Sequence, residues 1–338
     1  MLQLSNSTPF KATIAAMPDT EGIDAVWAIV KGTFTIGDSL SVAEPQVPIA
    51  LADVHVGEPA ESSVATPSDI GLSKPGTDVL LLGHAHAAAG RRTREMEVSL
   101  RVGPVSKRVR VFGDRVWGSG VVRSGMSSPE PFEKIPLVWE RAFGGMDVVE
   151  GREPKTHGEG RNPVGAGFRV KNGQKPLDGL RLPNLEEPRS LISGWQDRPA
   201  PACFAPLCAH WEPRRSFAGT YDERWQRRRA PYLPEDFDSR FFQIAPPDLV
   251  TRGYLRGDES IEVRGATPSG LLQCRLPGQR IEVTFLLDDE SLLRTADLDT
   301  VLIEPDESRV VLVWRSMLRC DKKLLRVREI AVASAVSG

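Results

Sequence analysis

Cysteine is scarce in these 338 residues: Cys203, Cys208, Cys274 and Cys320 are all there is. No two of them form a C-x-x-C pair. The spacing therefore gives neither a zinc ligand set nor a disulfide framework, and buried thiols are the expectation. Long apolar runs are missing too; nothing approaches the roughly 18–20 residues of a membrane-crossing helix. Nor is there an excess of one charge. Lys and Arg number 43, Asp and Glu 45, and the formal net charge is −2. No global field draws in phosphate backbones or anionic lipid, so neither nucleic acid nor membrane is an expected partner. The opening MLQLSNSTPFKATIAAMPD has no basic segment leading into an apolar core, and a cytoplasmic location is expected. Catalytic signatures are also lacking: there is no G-x-S-x-G elbow, P-loop or H-E-x-x-H. The glycine-rich pieces at 143–145 and 162–168 do not follow a strand and open a helix, so no phosphate loop and no cofactor are expected.

What the sequence does have is period-two patterning at both ends. In AVWAIVKGTFTI (25–36), Val26, Ala28, Val30, Phe34 and Ile36 alternate with positions that drift to Lys31, Thr33 and Thr35. That predicts a strand with one well-buried face. REMEVSLRVGPVSKRVRVFG (94–113) predicts a hairpin turning at Gly103-Pro104, dry on one face and wet on the other. TDVLLLGHAHA (77–87) reads as a single, more apolar strand. Ile261 and Val263, then Ile281, Val283, Phe285 and Leu287, form further strand faces. DTVLIEPDESRVVLVWR places a Pro-Asp-Glu-Ser turn between two apolar runs. The expected fold is mainly β: antiparallel sheets, sandwich-like or a partly open barrel, with one or two short helices.

The middle differs. Residues 129–248 hold 16 of the 27 prolines, and proline excludes central strand and long helix. The stretch is rich in aromatics, which argues against disorder. Long, ordered, irregular loops on a β-core are the consistent expectation. The organisation is one continuous domain, with an N-terminal β lobe at 1–128, Pro/Gly/aromatic-rich loops at 129–250 and C-terminal hairpins at 251–338. One short helix is expected at DERWQRRR, with Asp222 and Glu223 at its start, Arg227 to Arg229 at its end and Pro231 stopping it.

Several constellations are candidates for chemistry. Arg214, Arg215, Arg224, Arg227, Arg228 and Arg229, with Trp225 and Tyr232, have the composition of a nucleic-acid platform. Neighbouring Glu235, Asp236 and Asp238 favour ion pairing instead. His84 and His86, two residues apart on a strand, point the same way as metal-binding pairs do. A third ligand would have to come from afar: His55, His157 or a carboxylate. Glu140 beside Arg141, and the 235–238 carboxylates, are acid–base candidates only if burial tunes them. Tyr221, Arg224, Trp225, Arg228 and Tyr232 are the candidate partner contacts, because Tyr, Trp and Arg are enriched at protein interfaces. Phe241 and Phe242 are expected in the core.

A set of strings, in order, carries a resemblance. They are LSKPGTDVLLLGHAHA (72–87), VFGDRVW (111–117), PLVWERAFGG (136–145), RNPVGAGF (161–168), LPNLE (182–186), DRPAPACFAPL (197–207), GTYDERW (219–225), LPEDFDSRFFQIAPPD (233–248) and LDTVLIEPD (298–306). Together they resemble a bacterial domain-of-unknown-function family associated with type VI secretion and regarded as effector accessory proteins. The resemblance implies a non-enzymatic adaptor or chaperone in the bacterial cytoplasm. Its partners would be a secreted effector and the VgrG/PAAR-like spike. It transfers no catalytic residues and no metal. The alternative from the residues themselves is a metal-assisted hydrolase using His84 and His86.

Overall fold

A computed structural model describes residues 2–88, 91–119, 124–321 and 324–336. Strands dominate and, among the described residues, no barrel closes. Each of the three large sheets mixes strands from both ends of the chain. The largest, of six strands, runs Lys11–Pro18, Asp24–Thr35, Arg309–Arg319, Asp297–Glu304, Asp78–Leu81, with Ser41–Val42 paired to Asp24–Thr35 off this path. The five-stranded sheet runs Leu185–Glu186, Val105–Phe112, Glu95–Val102, Ser260–Arg264, Leu271–Arg275. The four-stranded sheet runs Gln3–Asn6, Val327–Val336, Gln279–Leu287, Ser291–Thr295. Most pairs are antiparallel, but Gln3–Asn6 runs parallel to Val327–Val336 and Asp78–Leu81 parallel to Asp297–Glu304. One hydrophobic core takes Val26 and Val30, Val98 and Val109, and Val283 and Phe285 from the three sheets together.

The hairpin at 95–112 forms as its alternation predicts, with Val98, Leu100, Val109 and Val111 buried and Arg108 exposed. The Pro-Asp-Glu-Ser turn also forms; Ser308 takes the left-handed conformation that ends it, at φ 52°. Two expectations need correcting. Asp24–Thr35 is buried on both faces from Ala25 to Phe34. Its polar side is roofed by the following segment: Lys31 Nζ meets Asp69 at 2.8 Å and Thr33 N–H donates to Gln46 at 2.8 Å. Alternation reports side-chain polarity, and a polar side chain with a buried partner escapes it. Residues 77–87 are two strands rather than one. The chain breaks at Gly83 (φ +148°), and His84–His86 pairs separately with Lys134–Pro136.

The Pro-rich middle is ordered, with short strands and single turns. It has a core of its own, built from Trp117, Phe143, Phe168, Leu182 and Ile192. Its glycines are packing devices. At Gly144 (φ +154°), a Cβ would stand 2.1 Å from the Asn162 carbonyl oxygen, a contact no other residue tolerates.

A buried ion network fastens this middle region to the large sheet. Lys74 Nζ lies 2.8 Å from Asp78 and 2.7 Å from Asp299, and donates to Thr300 Oγ1 at 2.8 Å. Arg315 Nε meets the other Asp299 oxygen at 2.7 Å. The ladder slips between Leu298 and Thr300, leaving Asp299 as the extra residue of a bulge. Asp78 in turn accepts from the backbone N–H groups of Ile244 and Ala245, at 3.0 and 3.1 Å. Burial alone would lower the Lys74 pKa, but the charges of Asp299 and Asp78 outweigh it and raise it above 10.5. Burial likewise pushes Asp299 up, yet Lys74 and Arg315 hold it below 3.8.

Asp299→Ala is expected to cost about 3–5 kcal/mol in urea denaturation, because two buried cations lose their shared anion. The raised Lys74 contributes fully below its unfolded pKa, and this is lost as pH climbs through the folded value. The lowered Asp299 contributes fully above its unfolded pKa, and this is lost as pH falls through the folded value. In wild type the urea midpoint is therefore expected to be level, as far as this cluster is concerned, from about pH 4 to about pH 10 and to drop on either side.

Candidate functional site

The helix forms at Glu223–Arg228, and Asp222 caps it by accepting the Trp225 N–H at 2.8 Å. Trp225 is half-buried. Its ring sits edge-on to Tyr221 at 4.7 Å, and its Nε1–H donates to the Tyr232 carbonyl at 2.8 Å. Tyr232 lies over Gly22, where an added Cβ would come within 2.8 Å of the ring. Arg229 ties the knob down by donating to the Leu233 and Thr20 carbonyls, at 2.9 and 3.2 Å. Tyr221 is nevertheless 53% exposed and Tyr232 42%. A hollow of about 300 Å³ opens beside them, lined by Arg224, Trp225, Arg228, Glu235 and Asp236. Of the five expected contact residues, four are exposed and Trp225 anchors the group.

The six arginines do not make one cationic track. Arg214 is buried, donating to the Phe241 and Leu207 carbonyls at 2.9 and 2.5 Å. Arg224 pairs with Glu235 and Arg227 with Glu223, each at 3.1 Å. Phe241 and Phe242 are half-buried rather than core. They make ring contacts with each other and with Phe237, and Phe242 packs on the small cluster of Trp27 and Leu72. Aromatic identity alone does not separate a core ring from one that pins a loop.

The acid–base candidates have structural partners. Glu140 accepts from the N–H and hydroxyl of Ser63, at 2.7 and 2.9 Å. Asp236 is held low by the Thr220 backbone N–H, and Asp238 by the Arg240 guanidinium. His84 and His86 do converge on a carboxylate, but it is Asp306, which sequence spacing did not indicate. His84 Nδ1 lies 2.6 Å and His86 Nε2 2.7 Å from its two oxygens, with Lys134 at 3.5 Å. Partial burial pushes Asp306 up, but hydrogen bonds from His86 and His84 and the Lys134 charge hold it below the usual carboxylate range. His55 faces the Ser62 carbonyl, and His157 sits on the Lys155–Gly158 strand. Among the described residues no three His, Cys, Asp or Glu side chains are arranged to hold a metal ion.

Sequence reasoning missed a cleft of about 540 Å³ whose lining includes Arg141, Gly165, Gly167, Lys175 and Arg181. Arg141 is oriented by Asp114 and Asn184, both at 2.9 Å. The Asn184 amide and the Arg141 and Arg181 charges hold the Asp114 carboxyl below the usual carboxylate range, against the effect of partial burial. No short motif links these positions; they meet because Asp114, Arg141 and Asn184 come from three strings that fold onto one small core.

The model of a family described as an uncharacterized protein conserved in bacteria (DUF2169) matches residues 21–315. No curated protein and no solved structure matches the chain.

Asp222→Ala is expected to cost about 1 kcal/mol locally. Hydrogen exchange at the Trp225 amide should speed up severalfold while the global urea midpoint stays unchanged.

Proposed function

We propose that this chain, which belongs to the DUF2169 family, is a non-enzymatic adaptor of type VI secretion. It binds an effector in the bacterial cytoplasm and helps load it on a VgrG/PAAR-like spike. The observation that carries this reading is the knob of Tyr221, Arg224, Arg228 and Tyr232, exposed yet clamped by the half-buried Trp225, its cap and indole hydrogen bond, and by Arg229. Such a surface loses little side-chain entropy when a partner arrives, and its residue types are those that dominate binding hot spots. The Pro-rich loops add stiffness around it. The carboxylates near the knob are engaged with Thr220 and with arginines, which fits a contact surface better than an acid–base pair.

A second reading is metal-assisted hydrolysis at His84 and His86, beside which Asp306 stands without completing a metal-holding set among the described residues. In the observed arrangement the facing nitrogens of both rings are engaged by its carboxylate. On the adaptor reading, zinc retained after dialysis is expected to stay below about a tenth of an equivalent by elemental analysis. A stoichiometric metal lost in His84→Ala would favour the hydrolase.

The direct measurement is co-purification of the tagged chain with the effector encoded beside it. Tyr221→Ala combined with Arg228→Glu, both exposed, is expected to reduce recovered effector at least about tenfold at an unchanged melting temperature. Undiminished recovery would remove the knob from the interface. Effector abundance and secretion that survive deletion of the gene would end the adaptor reading.

A further inference from the structure

The outermost strand of the five-stranded sheet, Leu271–Arg275, has, among the described residues, a neighbouring strand on one side alone. Its register with Ser260–Arg264 is unbroken. Two flanking bonds set the parity of that ladder: Leu276 N–H to the Glu259 carbonyl and Gly265 N–H to the Gly270 carbonyl, both 2.9 Å. Hydrogen-bonded pairs recur every second residue in an antiparallel ladder. Leu272 and Cys274 therefore direct their backbone groups at the neighbouring strand, and Leu271, Gln273 and Arg275 direct theirs outward. The Leu271 carbonyl accepts from the Ser269 hydroxyl at 3.1 Å. The outward backbone groups of Gln273 and Arg275 make no hydrogen bond to a described residue.

Sheet edges are commonly guarded by bulges, inward charges or a covering segment. This strand has no register shift and no inward charge. Its inward side chains, Leu272 and Cys274, are half-buried against the main core, while Leu271 is 40% exposed. The sheet's wet face behind it is basic. Arg101, Arg108, Arg110, Arg264 and Arg275 stand there against Glu95, Glu97 and Glu262, within a chain whose net charge is −2. The glutamates pair with Arg110, Arg108 and Arg264, at 2.8, 3.8 and 2.9 Å. Arg275 donates to the Asp258 carbonyl at 2.9 Å, and the arginines of the face still outnumber its glutamates.

We propose that this edge docks an extended acidic segment of a partner protein, which adds as a sixth strand beside Leu271–Arg275. Strand addition supplies main-chain hydrogen bonds, and alternate side chains supply selectivity. Apolar residues of the segment cover Leu272 and Cys274; its carboxylates meet Arg275, which otherwise donates to a backbone carbonyl, and share Arg264 with Glu262. Charge also selects against a second copy of this chain. Symmetric pairing of two such edges would bring the two arginine faces side by side with no added acid. The inference deepens the adaptor reading, since the segment belongs to the protein being carried, but the edge is tested without any secretion component.

The probes are end-capped, fluorescein-labelled (Val-Glu)4 and (Val-Lys)4, titrated with the full chain at low salt by anisotropy. The acidic peptide is expected to bind saturably, to weaken with added salt, and to lose at least about tenfold in affinity in Gln273→Pro. That substitution removes an outward donor and the side-chain bond to Glu262 at 2.9 Å, and keeps the backbone ladder to Ser260–Arg264. Arg275→Glu, exposed and outside the core, is expected to weaken the same peptide and carries the test if Gln273→Pro lowers the melting temperature. The proposal falls if the acidic peptide does not bind, if (Val-Lys)4 binds equally, or if binding is indifferent to both substitutions. A concentration-dependent dimer abolished by Gln273→Pro would also overturn it, assigning the edge to a second copy. Peptide binding without effector co-purification would keep the edge and drop the adaptor reading; the converse would drop the edge alone.

Discussion

Six buried charges hold this protein together: Lys31, Asp69, Lys74, Asp78, Asp299 and Arg315. They form a continuous chain of contacts, because Arg315 also donates to the backbone carbonyls of Gly71 and Asp69, at 2.5 and 2.9 Å. A buried ion is tolerated only with its partner in place. The segments that carry these residues therefore have one mutual arrangement. Strands from both ends of the chain, the loop at 69–78 and the backbone at Ile244 and Ala245 are fixed by the same condition. The hydrophobic core supplies the bulk of the burial; the ions specify which segments must meet.

That constraint reaches the surface. Ile244 and Ala245 end the aromatic stretch that begins with the helix at Glu223–Arg228. Anchoring them on Asp78 sets where that stretch leaves the sheet. Arg229 and Tyr232 then fold it back on Thr20 and Gly22. The knob is thus an irregular segment pinned at two places to regular structure. The strand edge at Leu271–Arg275 is the opposite kind of feature, regular structure left without a neighbour. Pinned loops present side chains and open edges present backbone, so the two surfaces offer a partner different chemistry.

Much of the family resemblance falls on scaffold. Lys74, Asp78, Ile244, Asp299 and Thr300 lie in three of the strings that carry it, and all belong to the ion network. Asp114, Arg141, Asn162 and Asn184 lie in four others and tie the small core together. Asn162 donates to the Trp139 and Phe143 carbonyls, at 2.8 and 3.0 Å. These residues explain why a chain so rich in proline and glycine keeps one shape across its middle third.

The sequence alone determined the β class, the hairpin at 95–112, the turn before Ser308 and the capped helix after Asp222. In each case the signal is local: alternation within one strand, or a side chain meeting backbone three residues away. Tertiary structure decided the rest. Lys31 and Thr33 read as a wet face until residues 46 and 69 come to cover them. The two histidines look alike as metal ligands or strand-end residues until Asp306 arrives from more than 200 positions away. Leu271 to Arg275 read as any strand, because being outermost is a property of the sheet. Polarity patterns record what a residue prefers to touch; which distant segment satisfies that preference depends on loop closures and packing that no local pattern encodes.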